Sequence, residues 1–347
     1  MIKVNNKIKI TFTGDIMCDN KPILEKVDYK NFISQKLKNL LNMSDYVVGN
    51  LETPIVENIN LSGQYSFSAP PAFLQELKKS GFDLFSTANN HCLDCGFNGV
   101  IENNKNIKKM GMDFVGTNSS KDDSRVFIKK FNNMKFAFVS YTYGTNAFLN
   151  NNYLNKENSY LVNLSRKQEC KNKIYRKIKN KFFENCYIYS YIRDRKYLKN
   201  LKGDLMFAKE NADIVICLMH SGGQYNNKVE HYTKHLSNFI MKNGADIVIG
   251  NHPHVVLNHK NNIFYSLGNF YATPFSNHNQ IDDIPSYSIL LNYYFDKKLK
   301  KIDGFDYEIV KTIINEQGFP ETKLVDELDF SDKIKNEIRI INDRVNR

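Results

Sequence analysis

The stretch that decides the fold is Ala245-Asp246-Ile247-Val248-Ile249-Gly250-Asn251-His252-Pro253-His254. Three consecutive β-branched residues closed by a glycine predict a short strand over 246–249. A strand apolar on both faces belongs to a mostly parallel sheet covered by helices. This strand ends in two histidines around a proline, and the restricted backbone of X-Pro-X points both rings toward one region. In sheets of this kind, ligand sites gather at the carboxyl ends of the strands.

Working outward, the same pattern recurs. Residues 7–13 alternate and lead into Gly14-Asp15, and 46–49 run into Asn50-Leu51-Glu52. Residues 82–87 run into Ala88-Asn89-Asn90-His91, 214–219 deliver His220, and 263–267 end in Gly268-Asn269. Helical spacing separates these strands over 31–42, 71–80, 96–110, 201–211 and 231–242. Further strands are expected at 114–116 and 136–141. After the last cluster, 286–295 and 306–312 predict antiparallel strands, and 332–345 a closing helix. Alternating strands and helices predict the α/β class. The Asn-rich stretch 146–158 predicts a mobile loop.

The chain has 347 residues, 41% of them hydrophobic, which is too rich for disorder. Our reading is one domain over 1–347, with a basic helical insertion at 150–203 and a β-rich part at 277–347 that ends in a helix. No long uncharged apolar run is present, so no transmembrane helix is expected. Residues 1–10 lack the apolar core of a signal peptide, which predicts a cytoplasmic protein, or alternatively one peripheral to a membrane surface. Six cysteines in this length do not make a disulfide scaffold.

The net charge of +11 suggests a polyanion partner. Its distribution narrows that reading. Ten Lys and four Arg against five acids place +9 between Asn150 and Leu205, leaving +2 for the rest. From Arg166 to Lys202 the basic residues interleave with Tyr175, Phe182, Phe183, Tyr187, Tyr189, Tyr191 and Tyr197. Basic plus aromatic is a composition that nucleic-acid binders share. No nucleic-acid motif accompanies it, so a solvated helical insertion bordering the site and drawing in an anionic substrate is the preferred reading.

The strand-end clusters contain Asp15, Glu52, Asn90, His91, His220, His252 and His254. Oxygen donors mixed with imidazoles suit Mn²⁺, Fe²⁺ or Zn²⁺. A bridging carboxylate flanked by His and Asn holds two divalent ions about 3.5–4 Å apart. Each residue alone has a plainer role. Asp15 could end a turn, Glu52 could answer a helix dipole, His91 could be a core histidine, and Asn90 or its neighbour Asn89 could form a left-handed turn. The coincidence of six clusters at equivalent positions favours the metal reading.

Gly14-Asp15, Gly49-Asn50-Leu51-Glu52, Ala88-Asn89-Asn90-His91 with Asp94 and Gly96, His220, Gly250-Asn251-His252-Pro253-His254 and Tyr265-Ser266-Leu267-Gly268-Asn269-Phe270 resemble the bacterial capsule-synthesis CapA/PgsA family. That family is associated with poly-γ-glutamate synthesis and lies within the calcineurin-like metallo-dependent phosphatase superfamily. The resemblance implies a four-layer sandwich of two mixed β-sheets flanked by helices, and two divalent ions. It implies that Asp15 and His254 bind the first ion, Glu52 bridges, and Asn90, His220 and His252 bind the second. His91 would be general acid or phosphate contact. Asn50, Asn89, Asp94 and Asn269 would support the ligands or face substrate; Asn269 could equally cap a turn. The implied activity is hydrolysis of a phosphoester or γ-glutamyl amide-like bond in an anionic substrate or polymer such as poly-γ-glutamate. The alternative is a non-catalytic accessory that binds an anionic polymer or a capsule-synthesis partner.

Two departures stand out. The superfamily places a His two residues after the first Asp, and here that position is Met17, with Asp19 the nearest substitute. The family often has Trp after the isolated His, whereas here His220-Ser221-Gly222-Gly223-Gln224-Tyr225 follows and the chain has no Trp. His231 and His235 lie four apart and are read as a solvated helix face, and His259 and His278 are read the same way. Cys92-Leu93-Asp94-Cys95 lacks a second CxxC to make a zinc site, so its cysteines are read as incidental and Asp94 as an anchor for the loop.

Overall fold

The computed structural model describes residues 6–18, 31–58, 66–169, 172, 187–272 and 284–346. In chain order the elements are β1 (Lys7–Ile16), α1 (Gln35–Leu41), β2 (Tyr46–Leu51), α2 (Pro71–Lys79), β3 (Leu84–Ser86), α3 (Gly96–Lys109) and β4 (Asp113–Val115). Then come β5 (Val126–Phe131), β6 (Met134–Thr142), the single turn α4 (Ala147–Asn150), α5 (Tyr187–Asn211), β7 (Ile214–His220), α6 (His231–Lys242) and β8 (Ile247–Asn251). The remainder is β9 (His259–Lys260), β10 (Ile263–Phe264), β11 (Asn269–Tyr271), β12 (Tyr287–Asp296), β13 (Lys301–Ile314), β14 (Pro320–Leu324) and α7 (Asp332–Val345).

These strands form two mixed sheets flanked by helices. The first runs β14-β13-β12-β1-β2-β3-β4, and the second runs β5-β6-β7-β8-β10-β9. Strand β1 is parallel to β2 and antiparallel to β12. β12 holds only Lys7 to Phe12 of it, and β11 lies beside Asp15 and Ile16 instead. The period-2 alternation of strands explains the layers. Ile8, Ile10 and Phe12 of β1 join Tyr46 and Val48 of β2 and Leu291, Tyr293 and Phe295 of β12 in one core, shared with β6, β7 and β8. Ile16, Val47 and Leu51 point the other way, onto Leu37 and Leu41 of α1 and Phe73, Leu74 and Leu77 of α2. Each such side chain contributes about 1.5–3 kcal/mol by leaving water. Among the described residues no helix is long and apolar enough to cross a membrane.

The expected elements recur with instructive differences. The first helix starts at Gln35, not Asn31, because the Ser34 hydroxyl accepts from Leu37 N at 3.2 Å and caps it. The last helix of the basic region begins at Tyr187 rather than Leu201. The strand expected over 263–267 breaks after Phe264. Its continuation crosses to the first sheet as β11, through Gly268 at φ +82°. Strands β5, β9 and β14 were not expected from the sequence. They lie at sheet edges, where one side is exposed and the apolar signal is diluted.

The Asn-rich stretch, expected as a mobile loop, is bonded along much of its length. Asn150 reaches Asp94, Asn152 reaches Leu93 O, and the Asn155 side-chain carbonyl accepts from Asn158 N. Much of the basic region lies outside the described residues, including Lys171, Lys173, Arg176 and Lys177. Asp19 and His278 also lie outside them. His231 and His235 stand exposed on α6 with rings 6.1 Å apart. His259, grouped with them in the sequence, is instead on strand β9, stacked on Phe264 at 4.8 Å.

Candidate metal centre

Backbone register assembles the site before any side chain is considered. At the carboxyl end of the first sheet, Asn269 of β11, Asp15 of β1 and Asn50 of β2 stand side by side. In the second sheet, Thr142 of β6, His220 of β7 and Asn251 of β8 form the matching row. Two glycines let these rows close. A Cβ at Gly14 would lie 2.0 Å from Gly268 O, and one at Gly250 would lie 2.2 Å from Tyr265 O. Any larger residue would push β11 away from β1, or β8 away from the chain leaving β10.

The side chains then converge in a buried cluster. The Asn50 amide nitrogen donates to Asp15 Oδ1 at 2.7 Å, lies 3.5 Å from Glu52 Oε2, and meets His220 Nδ1 at 3.3 Å. His220 Nε2 sits 2.7 Å from Asn90 Oδ1 and 3.4 Å from Glu52 Oε1. His254 Nδ1 lies between Asn269 Oδ1 at 2.9 Å and Asp15 Oδ2 at 3.1 Å, while its Nε2 is 3.8 Å from Glu52 Oε1. The His252 backbone N–H donates to Asp15 Oδ2 at 3.1 Å. The rings of His252 and His254 are 5.7 Å apart, and those of His220 and His252 are 4.7 Å apart. Both residues flanking Pro253 have left-handed backbones, His252 at φ +100° and His254 at φ +57°. Such conformations cost about 1–3 kcal/mol each and persist where the surroundings fix them.

Burial sets the charge states. It pushes His220 down to about 3, with Asp15 opposing the shift and His254 and His91 adding to it. It holds His252 well below the usual histidine range, helped by His220 and His254. These imidazoles are therefore neutral, as metal coordination requires. Burial also works to raise Asp15, but the hydrogen bonds from His254 and Asn50 outweigh it. The Asp15 carboxyl stays below its ordinary range.

His91 forms a second constellation at the edge of the first. Its Nδ1 is 2.6 Å from Asp94 Oδ2, and its ring stacks on Phe67 with centroids 3.8 Å apart and planes at 11°. Asp94 also accepts from Phe67 N at 2.8 Å and from the Asn150 amide at 3.1 Å. The Asn146 amide lies 3.4 Å from His91 Nε2.

Every candidate residue within the described residues lies at or beside this site, but not every one takes the expected part. Asn50 was given a supporting place and sits at the centre. Asn89, the rival of Asn90, forms the turn: its amide donates to Leu51 O and its carbonyl accepts from His91 N. Asn269 braces His254, and its amide is held by Pro285 O at 2.9 Å. The cysteines flanking Asp94 lie outside the ligand cluster, with both thiols pushed up to about 12, chiefly by burial. Sequence reasoning missed Tyr143, whose hydroxyl is 3.0 Å from His252 Nε2. A signal existed, since Tyr143 lies two residues past the strand predicted over 136–141 and directly follows β6. Phe67, Asn146 and Asn150 arrive from remote loops and carried no such signal.

Residues 9–274 match the family described as bacterial capsule synthesis protein PGA_cap. The chain belongs to this family. It is 28% identical over 278 residues to the capsule biosynthesis protein CapA of Bacillus anthracis, covering 77% of this chain and 60% of that protein. It is 26% identical over 275 residues to the PGA biosynthesis protein CapA of Bacillus subtilis (strain 168), covering 76% and 63%. The chain thus spans about three fifths of the length of these curated relatives. Among solved structures, a hypothetical protein from Thermus thermophilus overlays 88% of this chain and 99% of its own, with TM-score 0.46 and 12% identity.

Buried atoms of this capsule synthesis family member test whether divalent ions fit. Asp15, Glu52 and His220 offer ligand atoms within 4.8 Å of one another, and so do Glu52, His252 and His254. Glu52 is common to both groups. Among the described residues, Asn50 Oδ1 and His252 Nδ1 are buried with no hydrogen-bond partner, a state that costs about 1–3 kcal/mol per group unless something else satisfies it. Carboxylates, neutral imidazoles and orphaned acceptors form a donor set that fits a hard or borderline divalent cation. Met17 brings no ligand. It is buried, and its N–H donates to Tyr271 O at 2.7 Å.

Proposed function

We propose that this chain is a metal-dependent hydrolase of capsule polymer synthesis, with two divalent ions (Mn, Fe or Zn). Its substrate would be a phosphoester or a γ-glutamyl amide-like bond in an anionic polymer such as poly-γ-glutamate. Asp15 and His254 would hold the first ion, Glu52 would bridge, and Asn90, His220 and His252 would hold the second. The observation that carries this reading is the pair of buried three-residue groups that share Glu52; because they join Asp15 with His220 and His252 with His254, they support the bridging place of Glu52, and the division of the other ligands follows the family resemblance. The hydrogen bonds of the imidazoles support it. His254 Nδ1–H donating to Asn269 Oδ1 leaves Nε2 toward Glu52, and with His252 Nε2 engaged by Tyr143 Oη, Nδ1 is the ring nitrogen without a hydrogen-bond partner among the described residues. Such outer bonds fix the tautomer of a ligating histidine. When bound, the ions would acidify a water and polarise the substrate oxygen.

The chain's own part is proton handling and positioning. Asp94 holds His91 at Nδ1, so Nε2 is the atom that gives a proton to the leaving group or takes one from it. Stacking on Phe67 keeps the ring from rotating away. The second reading, a non-catalytic accessory binding an anionic polymer, is favoured by Met17 at a position where the superfamily has a ligand.

A panel of phosphoester and γ-glutamyl substrates with added Mn²⁺ decides between them. The hydrolase reading expects turnover that falls about 10²–10⁴-fold in His91→Ala with metal content retained. Absence of turnover on the whole panel favours the accessory.

A further inference from the structure

Beside His252, outside the ligand cluster, lies an arginine that nothing above has used. Residues 163–168 return along the end of β6. Thr142 N donates to Asn163 O at 3.0 Å, and Ser165 N donates to Thr142 O at 2.9 Å. The Gln168 amide then reaches Thr145 Oγ1 at 2.7 Å, and Lys167 N reaches Asp194 Oδ1 on α5 at 3.0 Å. This path is fixed on both sides of Arg166. The guanidinium is set between two aromatic rings, 5.4 Å from the Tyr143 centroid and 5.5 Å from the Tyr232 centroid on α6. Its side chain is 13% exposed.

The cation lies over the faces of both rings. The five N–H donors in its plane are a separate matter. Among the described residues its one ion pair is with Glu169, whose carboxylate lies at 3.7 Å, beyond hydrogen-bond range. A guanidinium so far out of water, beside two rings and with no carboxylate at hydrogen-bond distance among the described residues, matches the planar fork that binds carboxylate or phosphate through two parallel bonds. Tyr143 ties this fork to the centre, because the ring that supports Arg166 also carries the hydroxyl bonded to His252 Nε2.

We propose that Arg166, seated on Tyr143 and Tyr232, binds an anionic group of the substrate, a carboxylate or a phosphate, next to the metal-ligand histidines. The proposal rests on the hydrolase reading only in calling that anion part of a substrate. Arg166 would then set specificity for acidic substrates from a fixed position.

The test titrates inorganic phosphate and glutarate separately into the Mn²⁺-treated full chain by calorimetry. At least one anion should bind, and Arg166→Met should weaken it about tenfold or more with unchanged metal content. Arg166→Lys should recover only part of the loss, since an ammonium cannot make the paired bonds. Loss for phosphate alone assigns a phosphoryl group, and loss for glutarate alone assigns the carboxylate of a glutamyl chain. Arg166→Met binding both anions as wild type does overturns the proposal, as does a wild type that binds neither. If Arg166→Met does not fold, wild-type affinity in Arg166→Lys overturns it. A wild type that takes up no Mn²⁺ sinks the metal reading instead, and the Arg166 comparison is then read on the metal-free chain.

Discussion

The first sheet buries carboxylates in two places and treats them in opposite ways. On β13, Lys311 Nζ lies 2.9 Å from Glu337 Oε2 of α7 and 3.1 Å from Tyr287 Oη, and that phenol donates to Glu337 at 2.5 Å. On β1, two strands away, Asp15 meets imidazoles, an amide and a backbone N–H instead. The first cluster carries its own cation and fastens α7 to the sheet. The second gathers acceptors, and two of its buried atoms, Asn50 Oδ1 and His252 Nδ1, have no partner among the described residues. Burying charge costs several kcal/mol unless it is matched. A cluster that only stabilises the fold brings its match with it, whereas one that leaves acceptors over is arranged for a cation from outside.

The largest expected effect breaks this contrast at its open side. His254→Ala should reduce bound metal from the wild-type level to background by elemental analysis, while His231→Ala with His235→Ala on exposed α6 leaves it unchanged. Equal metal content in both would sink the assignment. Next in size, Lys311→Met removes the buried cation from Glu337, leaving it the Tyr287 phenol and Lys333 at 3.8 Å, and should cost about 3–5 kcal/mol in denaturant unfolding. Metal content should not change, because no ligand is touched. Chelation should act in the reverse sense: EDTA lowers the melting temperature, Mn²⁺ restores it, and ions at a hundred times their Kd contribute about 2.7 kcal/mol. A melting curve indifferent to both would place Asp15 with the closed kind of cluster.

What was legible in the sequence follows the same division. Asp15, Asn50, Glu52, Asn90, His91, His220, His252 and His254 each follow an apolar strand, and parallel strands bring their carboxyl ends together whatever the loops do. The alternation of Ile8, Ile10 and Phe12 with residues facing the helices was legible for the same reason. Tyr143, Phe67, Asn150 and Arg166 reach the site through connections whose paths depend on tertiary contacts, and no periodicity encodes those. Strand β14, Pro320–Leu324, reads Pro-Glu-Thr-Lys-Leu, and only its pairing with β13 makes it a strand. Position 268 shows how small a signal can matter. One glycine ends the run from Tyr265 and sends Asn269 across to Asp15, where an unbroken strand had been expected.

The smallest effect concerns the Asn-rich connection and sharpens the comparison most finely. Asp94 is another buried carboxylate, and it belongs to neither type: its partners are His91 Nδ1, Phe67 N and the Asn150 amide. None of these carries a permanent charge: the contact with His91 is an ion pair only when that ring is protonated, and Asp94 does not stand among the candidate ligands. Its role is to hold His91 in one orientation. Removing Asn150 leaves the other two bonds, and groups at this remove from the reacting atoms typically matter by about 10–100-fold. Asn150→Ala should therefore lower kcat by about tenfold on whichever substrate the panel identifies, with KM and metal content nearly unchanged, and Asn150→Asp should not rescue it because two carboxylates would then face each other. A change in KM alone would show instead that the connection contacts substrate, and His91 would then owe its orientation to Phe67 and Asp94 without help from the loop.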